Sequence, residues 1–231
     1  SDDLATVSYR TLGKQLAPLI VRTRGHRLEG MWHAGSPMGM ILNSLKGMLV
    51  LTPRNMVQAS GMYNTLMSCS DPALVIEPLN SYRLKEKEPL NLGEFTVPLG
   101  KIEIIKSGTD ITVVSYGSTL KLIEKTITEL ERNHINIELI DAQSLIPFDL
   151  DNDIVKSIKK TNKLLVVDED YPGGASSFIL KVLLEDQDGF KYLDSKPITL
   201  TAKEHRPPYG SDGDYFSKPS IDDIFEACYR M

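Results

Sequence analysis

DITVVSYGSTLKLIEKTITELERNHINIELIDA, residues 110–142, decides the fold class. Residues 110–117 form a short run of β-branched and aromatic side chains, the composition of a buried strand. The period then changes. Over 118–133, Leu120, Ile123, Ile127 and Leu130 fall on one helical face, with charged residues on the others. Residues 135–142 return to a strand. Such alternation of strand and amphipathic helix predicts an α/β layer built on a mostly parallel sheet.

The alternation continues in both directions. Downstream, the pattern predicts a helix over 149–161, a buried parallel strand over 163–170 and a helix over 173–187 entered through a Gly pair. A strand over 198–202 and a helix opened by Pro219 and Ser220 close the chain. Upstream, a helix with an acidic first turn is expected over 2–16 and a strand over 18–23. A short helix follows from Pro37, then a strand over 47–53, a helix over 55–69 and a strand over 73–78. Met56, Met62 and Met67 in the 55–69 helix read as core packing. Between the two halves, residues 79–100 are polar, charged and proline-bearing, which predicts a linker. Three strands are thin for a free-standing unit, so the first half reads as the back half of a domain.

The chain has 231 residues, of which 41% are hydrophobic and 25% charged, an ordinary globular balance. A net charge of -5 argues against a nucleic-acid partner. Cys69 and Cys228 supply neither a disulfide framework nor metal-ligand spacing. No apolar run reaches the length of a membrane span, and no signal peptide is visible, so a cytoplasmic or organellar location is expected. The chain opens on Ser1 rather than Met, which reads as a fragment or a processed chain.

The stretch RGHRLEGMWHAGSP, residues 24–37, concentrates polar chemistry between two apolar runs. Its imidazoles, His26 and His33, titrate near neutrality and suit proton transfer, although a loop histidine bonded to backbone carbonyls reads as well from the residues alone. Arg22 and Arg24 can attract a carboxylate, or form a structural ion pair. Trp32 suits packing or an interface. Asp168, Glu169 and Asp170 end a strand and read as an interface or cap feature.

Several stretches then resemble one family in order and spacing. They are SDPALVIEPLNSYR, VPLGKIEIIKSGTDITVVSYGSTL, INIELIDAQSLIPFD, VKSIKKTNKLLVVDEDYPGG and PSIDDIFEACYRM. Together they resemble the β subunit of the thiamine-diphosphate-dependent 2-oxo acid dehydrogenases, within the transketolase-like superfamily. The resemblance covers essentially the whole chain. It implies that residues 1–80 are the second half of a transketolase-like pyrimidine-binding domain, 81–98 a linker and 99–231 a transketolase C-terminal domain. It implies oxidative decarboxylation of a 2-oxo acid, with acyl transfer to lipoamide, by a larger assembly in which this chain alone is inactive.

Thiamine diphosphate and Mg would be held mainly by regions absent from the chain. The partners implied are an α subunit or α-like region and a lipoyl acyltransferase, in a dimer or heterotetramer, in the cytoplasm or the mitochondrial matrix. The resemblance carries the histidine implicated in acyl transfer onto His33, with Ala34 and Gly35 where the family has Ser and Gln. It matches no position to His26. Glu77 and Arg83 fall on the family's end-of-domain motif and are expected to form a salt bridge. The segment 65–72 falls where the family holds a structural monovalent cation, with Cys69 where an aspartate is common, so no metal is assigned. The loop 204–216, with His205, reads as a proline-rich surface loop. Asp222, Asp223 and Glu226 suit a helix start or a basic partner domain. Two other readings are a transketolase or deoxyxylulose-phosphate synthase-like fragment, and a non-catalytic docking or oligomerisation module.

Overall fold

A computed structural model describes residues 2–25, 38–204 and 213–231. The first half contributes α1 (Asp2–Arg10), β1 (Ile20–Gly25), α2 (Met38–Ser44), β2 (Leu49–Leu51), α3 (Met56–Met67) and β3 (Ala73–Pro78). Both β1 and β2 run parallel to β3, one on each side of it. α1 stops well short of residue 16 because Leu12 and Gly13 take φ of 53° and 77°, a left-handed pair that no helix continues through. α3 starts at Asn55, whose side chain accepts the N–H of Gln58 at 2.7 Å.

The second half contributes β4 (Glu103–Lys106), β5 (Ile111–Ser115), α4 (Leu120–Arg132), β6 (Ile137–Asp141), β7 (Ser144–Ile146) and α5 (Asp153–Thr161). It continues with β8 (Leu164–Val167), α6 (Ala175–Leu180), β9 (Ile198–Leu200), α7 (Gly213–Ser217) and α8 (Ile221–Tyr229). The sheet order is β4-β6-β5-β8-β9. The pairs β5–β6, β5–β8 and β8–β9 are parallel, and β4 lies antiparallel on the β6 edge. Leu120, Ile123 and Leu130 of α4 are buried with Ile224 and Cys228 of α8 on one face of this sheet.

β7 departs from the sequence reading, which has no strand at 144–146. After Asp141 the chain turns through Gln143, at a φ of 58°, and leaves the second sheet. β7 then pairs antiparallel with β2 and completes a first sheet of order β1-β3-β2-β7. The two sheets also share one core. Val50, Leu74 and Ile76 of the first sheet pack in the same cluster as Val114, Ile140 and Val166 of the second, with Met38, Leu42 and Ile179 from the helices.

Apart from a 3-10 turn at Leu79–Ser81, the 79–100 segment lacks helix and strand, as a linker would, but it is strapped along α3. Asn64 donates to the carbonyls of Leu92 and Phe95 at 2.9 and 2.8 Å, and Thr65 Oγ1 donates to that of Val97 at 2.7 Å. The approach needs a glycine on the helix, because a Cβ at Gly61 would lie 2.4 Å from the Phe95 ring.

A polar network closes the junction between the sheets. Arg54 Nη1 donates to Asp141 Oδ2 at 2.7 Å and to Glu103 Oε2 at 2.6 Å, and Nη2 donates to Glu103 Oε1 at 2.8 Å. Gln58 Nε2 donates to Asp141 Oδ2 and to Gln143 Oε1, both at 2.9 Å. Asp141 is 0% exposed. Burial holds its carboxyl above the ordinary aspartate range, and the bonds from Gln58 and Arg54 only partly offset that. Arg54→Ala therefore leaves a buried carboxylate without its cation and should cost about 3–5 kcal/mol in urea unfolding at pH 7. The loss should shrink as the pH falls, because the orphaned Asp141 carboxyl, held above the ordinary aspartate range by burial, takes up a proton. A loss of under about 1 kcal/mol at pH 7 would show that the junction does not depend on this cation.

Candidate functional site

Ligand sites of α/β proteins gather at the carboxyl ends of parallel strands. Here β1 ends at Gly25, in register with Pro78 of β3, and the described chain resumes at Met38 in α2. Gly25 meets a close approach, since a Cβ there would lie 2.3 Å from Cγ2 of Ile76. His33, His26 and Trp32 belong to the intervening segment and lie outside the described residues, as does His205.

At these strand ends, Glu77 is the centre of a closed polar cluster. It is 1% exposed. Its Oε1 accepts the Tyr63 hydroxyl at 2.5 Å, and its Oε2 accepts Arg22 Nη2 at 2.8 Å and the Tyr82 hydroxyl. Burial alone would raise the Glu77 pKa, but the bonds from Tyr63, Tyr82 and Arg22 outweigh it and hold the carboxyl below the ordinary glutamate range. The partner of Glu77 is Arg22, which corrects the expected pair with Arg83. In the parallel ladder Arg22 pairs with Val75, two residues before Glu77 on the same face of β3, and its long side chain reaches the carboxylate diagonally. Arg83 lies beyond the 3-10 turn that sets the Tyr82 hydroxyl on Glu77. The Arg22 side chain stays 65% exposed, so its gain is modest, and the tyrosines do most of the holding.

A second acidic cluster ends β8. Asp168 Oδ1 accepts the Tyr116 hydroxyl at 2.6 Å, and Oδ2 accepts the N–H of Ser176 at 2.7 Å, so this carboxylate caps α6. Asp170 accepts the N–H groups of Tyr171 at 2.9 Å and Gly39 at 3.2 Å. The Gly173–Gly174 pair serves this packing, because a Cβ on Gly174 would lie 2.5 Å from Asp170 Oδ2.

The remaining candidates have local roles. The Cys69 thiol donates to the carbonyl of Thr65 at 3.3 Å. Asp223 and Ser220 form a capping box on α8, Asp222 accepts the Tyr215 hydroxyl at 2.5 Å, and Glu226 pairs with Arg230 at 2.9 Å. Among the described residues no group of three His, Cys, Asp or Glu side chains is placed to hold a metal ion. Glu77 takes three donors on its two oxygens and is held ionised by them. With no metal-holding group among them, the described residues do not by themselves make a thiamine diphosphate and Mg site.

The sequence reading missed the Arg54–Gln58–Asp141–Gln143 network and the tyrosines on Glu77. A signal for the first was present, because Arg54 follows the proline that ends a strand, as a cation at a sheet end would. Tyr63 shows only the helical spacing of its segment, which does not single it out as a partner for Glu77.

Two sheets of mostly parallel strands with helices between them place the molecule in the transketolase-like fold class. A split-gene transketolase solved as an inactive beta4 tetramer superposes on 99% of this chain and 72% of its own, with a TM-score of 0.74 at 16% identity. The family model for the transketolase C-terminal domain matches residues 100–218, and the chain belongs to that family. Pyruvate dehydrogenase E1 component subunit beta of Acholeplasma laidlawii is 29% identical over 95% of this chain and 66% of its own length. Acetoin:2,6-dichlorophenolindophenol oxidoreductase subunit beta of Bacillus subtilis is 31% identical over 88% and 58%. Mitochondrial 2-oxoisovalerate dehydrogenase subunit beta of Chaetomium thermophilum is 29% identical over 86% and 41%. The chain thus spans between 41% and 66% of the length of these relatives.

Glu77→Gln should lower stability by about 2 kcal/mol at pH 7, the scale of a charge-assisted hydrogen bond. Because the Glu77 carboxyl is held low, its contribution is complete above the ordinary carboxylate range and fades as the pH falls through the folded value. Thermal unfolding from pH 7 to pH 3 should show a shallower acid limb in the variant. Parallel limbs would refute the assignment.

Proposed function

We propose that this chain supplies the β-type portion of the decarboxylating component of a 2-oxo acid dehydrogenase complex and does not carry the reaction alone. The observation that supports this most strongly is the run of relatives named as β subunits of pyruvate and 2-oxoisovalerate dehydrogenases, matched over 80–100% of the chain. The full assembly oxidatively decarboxylates a 2-oxo acid and passes the acyl group to lipoamide. On this reading residues 1–80 complete a pyrimidine-binding domain begun elsewhere, 81–98 connect, and 99–231 are the C-terminal domain. An α subunit or α-like region holds most of the thiamine diphosphate and Mg contacts, a lipoyl acyltransferase collects the product, and the assembly is a dimer or heterotetramer of the cytoplasm or the mitochondrial matrix.

What this chain contributes to the site is a floor and a proton carrier. The Glu77 cluster fixes the strand ends from which the 26–37 segment departs, and α2 fixes where it returns. His33 on that segment is the proposed proton donor and acceptor during acyl transfer, since its imidazole changes charge near neutral pH.

Calorimetric titration of thiamine diphosphate with Mg should give no binding to this chain alone and clear binding once the α-containing remainder is added. Tight binding by the chain alone would sink the divided-site account. In the assembly, His33→Ala should reduce lipoamide acylation at least tenfold more than decarboxylation read with an artificial electron acceptor. Equal losses in the two assays would remove its role.

A further inference from the structure

β1 is an open edge of the first sheet. The order β1-β3-β2-β7 gives it one neighbour, and no described strand pairs with its other side. The Leu19 carbonyl accepts the N–H of Ala73 at 2.9 Å, and Ile20 lies in register with Ala73. The alternation of a parallel ladder therefore turns the N–H and C=O of Val21 and Thr23 toward β3, and those of Ile20, Arg22 and Arg24 outward. An outward row of backbone groups is a template for a further strand.

Parallel sheets are ordinarily covered on both faces, yet most of residues 12–24 is exposed. Leu12 is 89% exposed, and Leu16, Leu19 and Val21 are exposed with it. The same stretch is basic. Residues 10–24 hold Arg10, Lys14, Arg22 and Arg24 and no acid, in a chain whose net charge is -5. Arg22 reaches Glu77, but Arg24 has no ion-pair partner among the described residues. Cations on an edge strand also guard against chance pairing, but a guard alone leaves the exposed leucines unaccounted for.

Charge chooses between the occupants. A second copy docked about a two-fold axis would set this patch, with its four cations, against itself. A strand of a different polypeptide, with acids beside Arg22 and Arg24 and an apolar side chain beside Val21, satisfies both the charge and the apolar surface. The chain matches 66% of the Acholeplasma laidlawii subunit, so about a third of that relative has no counterpart here. We propose that β1 is a docking edge, on which an acid-bearing strand of a separate polypeptide, the one that carries this remaining third, continues the first sheet; the assignment rests on the β-type reading given above.

Residue-resolved amide exchange on the full 231-residue chain tests it, alone and with the α-containing remainder of the assembly as the probe. In the free chain the Arg22 and Arg24 amides should exchange fast, while the ladder protects Val21 and Thr23. In the complex Arg22 and Arg24 should slow roughly tenfold, with Val21 and Thr23 little changed. Arg24→Pro removes an outward N–H and no bond to β3, so the unfolding midpoint should hold while affinity for the remainder falls roughly tenfold. Arg24→Lys should bind like the natural chain and Arg24→Glu should bind more weakly, an order that packing alone would not give. If the remainder and thiamine diphosphate bind but Arg22 and Arg24 exchange as in the free chain, the docking edge is overturned and the β-type reading stands. If the remainder does not bind the chain, both fall. A dimer of the free chain in sedimentation that Arg24→Pro dissociates would give the edge to a second copy and overturn the proposal as well.

Discussion

The guanidinium of Arg54 holds the two sheets at a fixed angle. It leaves the end of β2, grips Glu103 on β4 with both of its terminal nitrogens, and reaches Asp141 at the end of β6. A planar fork bonded in this way fixes orientation as well as distance. That matters because the largest core cluster draws on both sheets. A small rotation between them would part Val50 and Leu74 from Val114 and Ile140. The apolar cluster supplies the bulk of the driving force, and the network selects one geometry for it.

From this frame, two carboxylates of opposite character bracket the segment that bears the candidate histidine. At its departure stands Glu77, fully bonded and stabilised in its ionised form. At its return stands Asp170, buried among like charges and eased by a proton. Both lie at the carboxyl ends of parallel strands, where the backbone leaves room for polar chemistry. Bonding holds the first carboxyl below the ordinary range, and burial pushes the second above it.

The alternation of periods in residues 110–142 makes β5, α4 and β6 legible directly, and the same logic finds the strands and helices of both halves. What stayed hidden has physical reasons. β7 is three residues long, carries no alternation of its own, and takes its partner from the other half of the chain. The premature end of α1 rests on left-handed backbone at Leu12 and Gly13, and leucine there announces nothing. The strapping of the 79–100 segment depends on side chains of α3 that look like any polar helix surface. In the site, the strand positions of Arg22 and Glu77 were readable, but which arginine meets Glu77 depends on a parallel register that one strand's sequence does not carry. The Arg54 network joins positions 54, 58, 103, 141 and 143, a set that only the fold brings together.

The exchange of β7 across the molecule has a consequence for how the chain can be divided. A nick in the exposed stretch around residues 85–93 would cut the covalent connection between the halves at their obvious seam. The pieces would remain knitted by the ladder from Ser144–Ile146 to β2, by Arg54 and by the common core. The second fragment would carry a strand that has no place in its own sheet, and the first would carry an edge that lacks its neighbour. Each piece is therefore the complement of the other, and the architecture favours reassembly from two polypeptides over the independent survival of either.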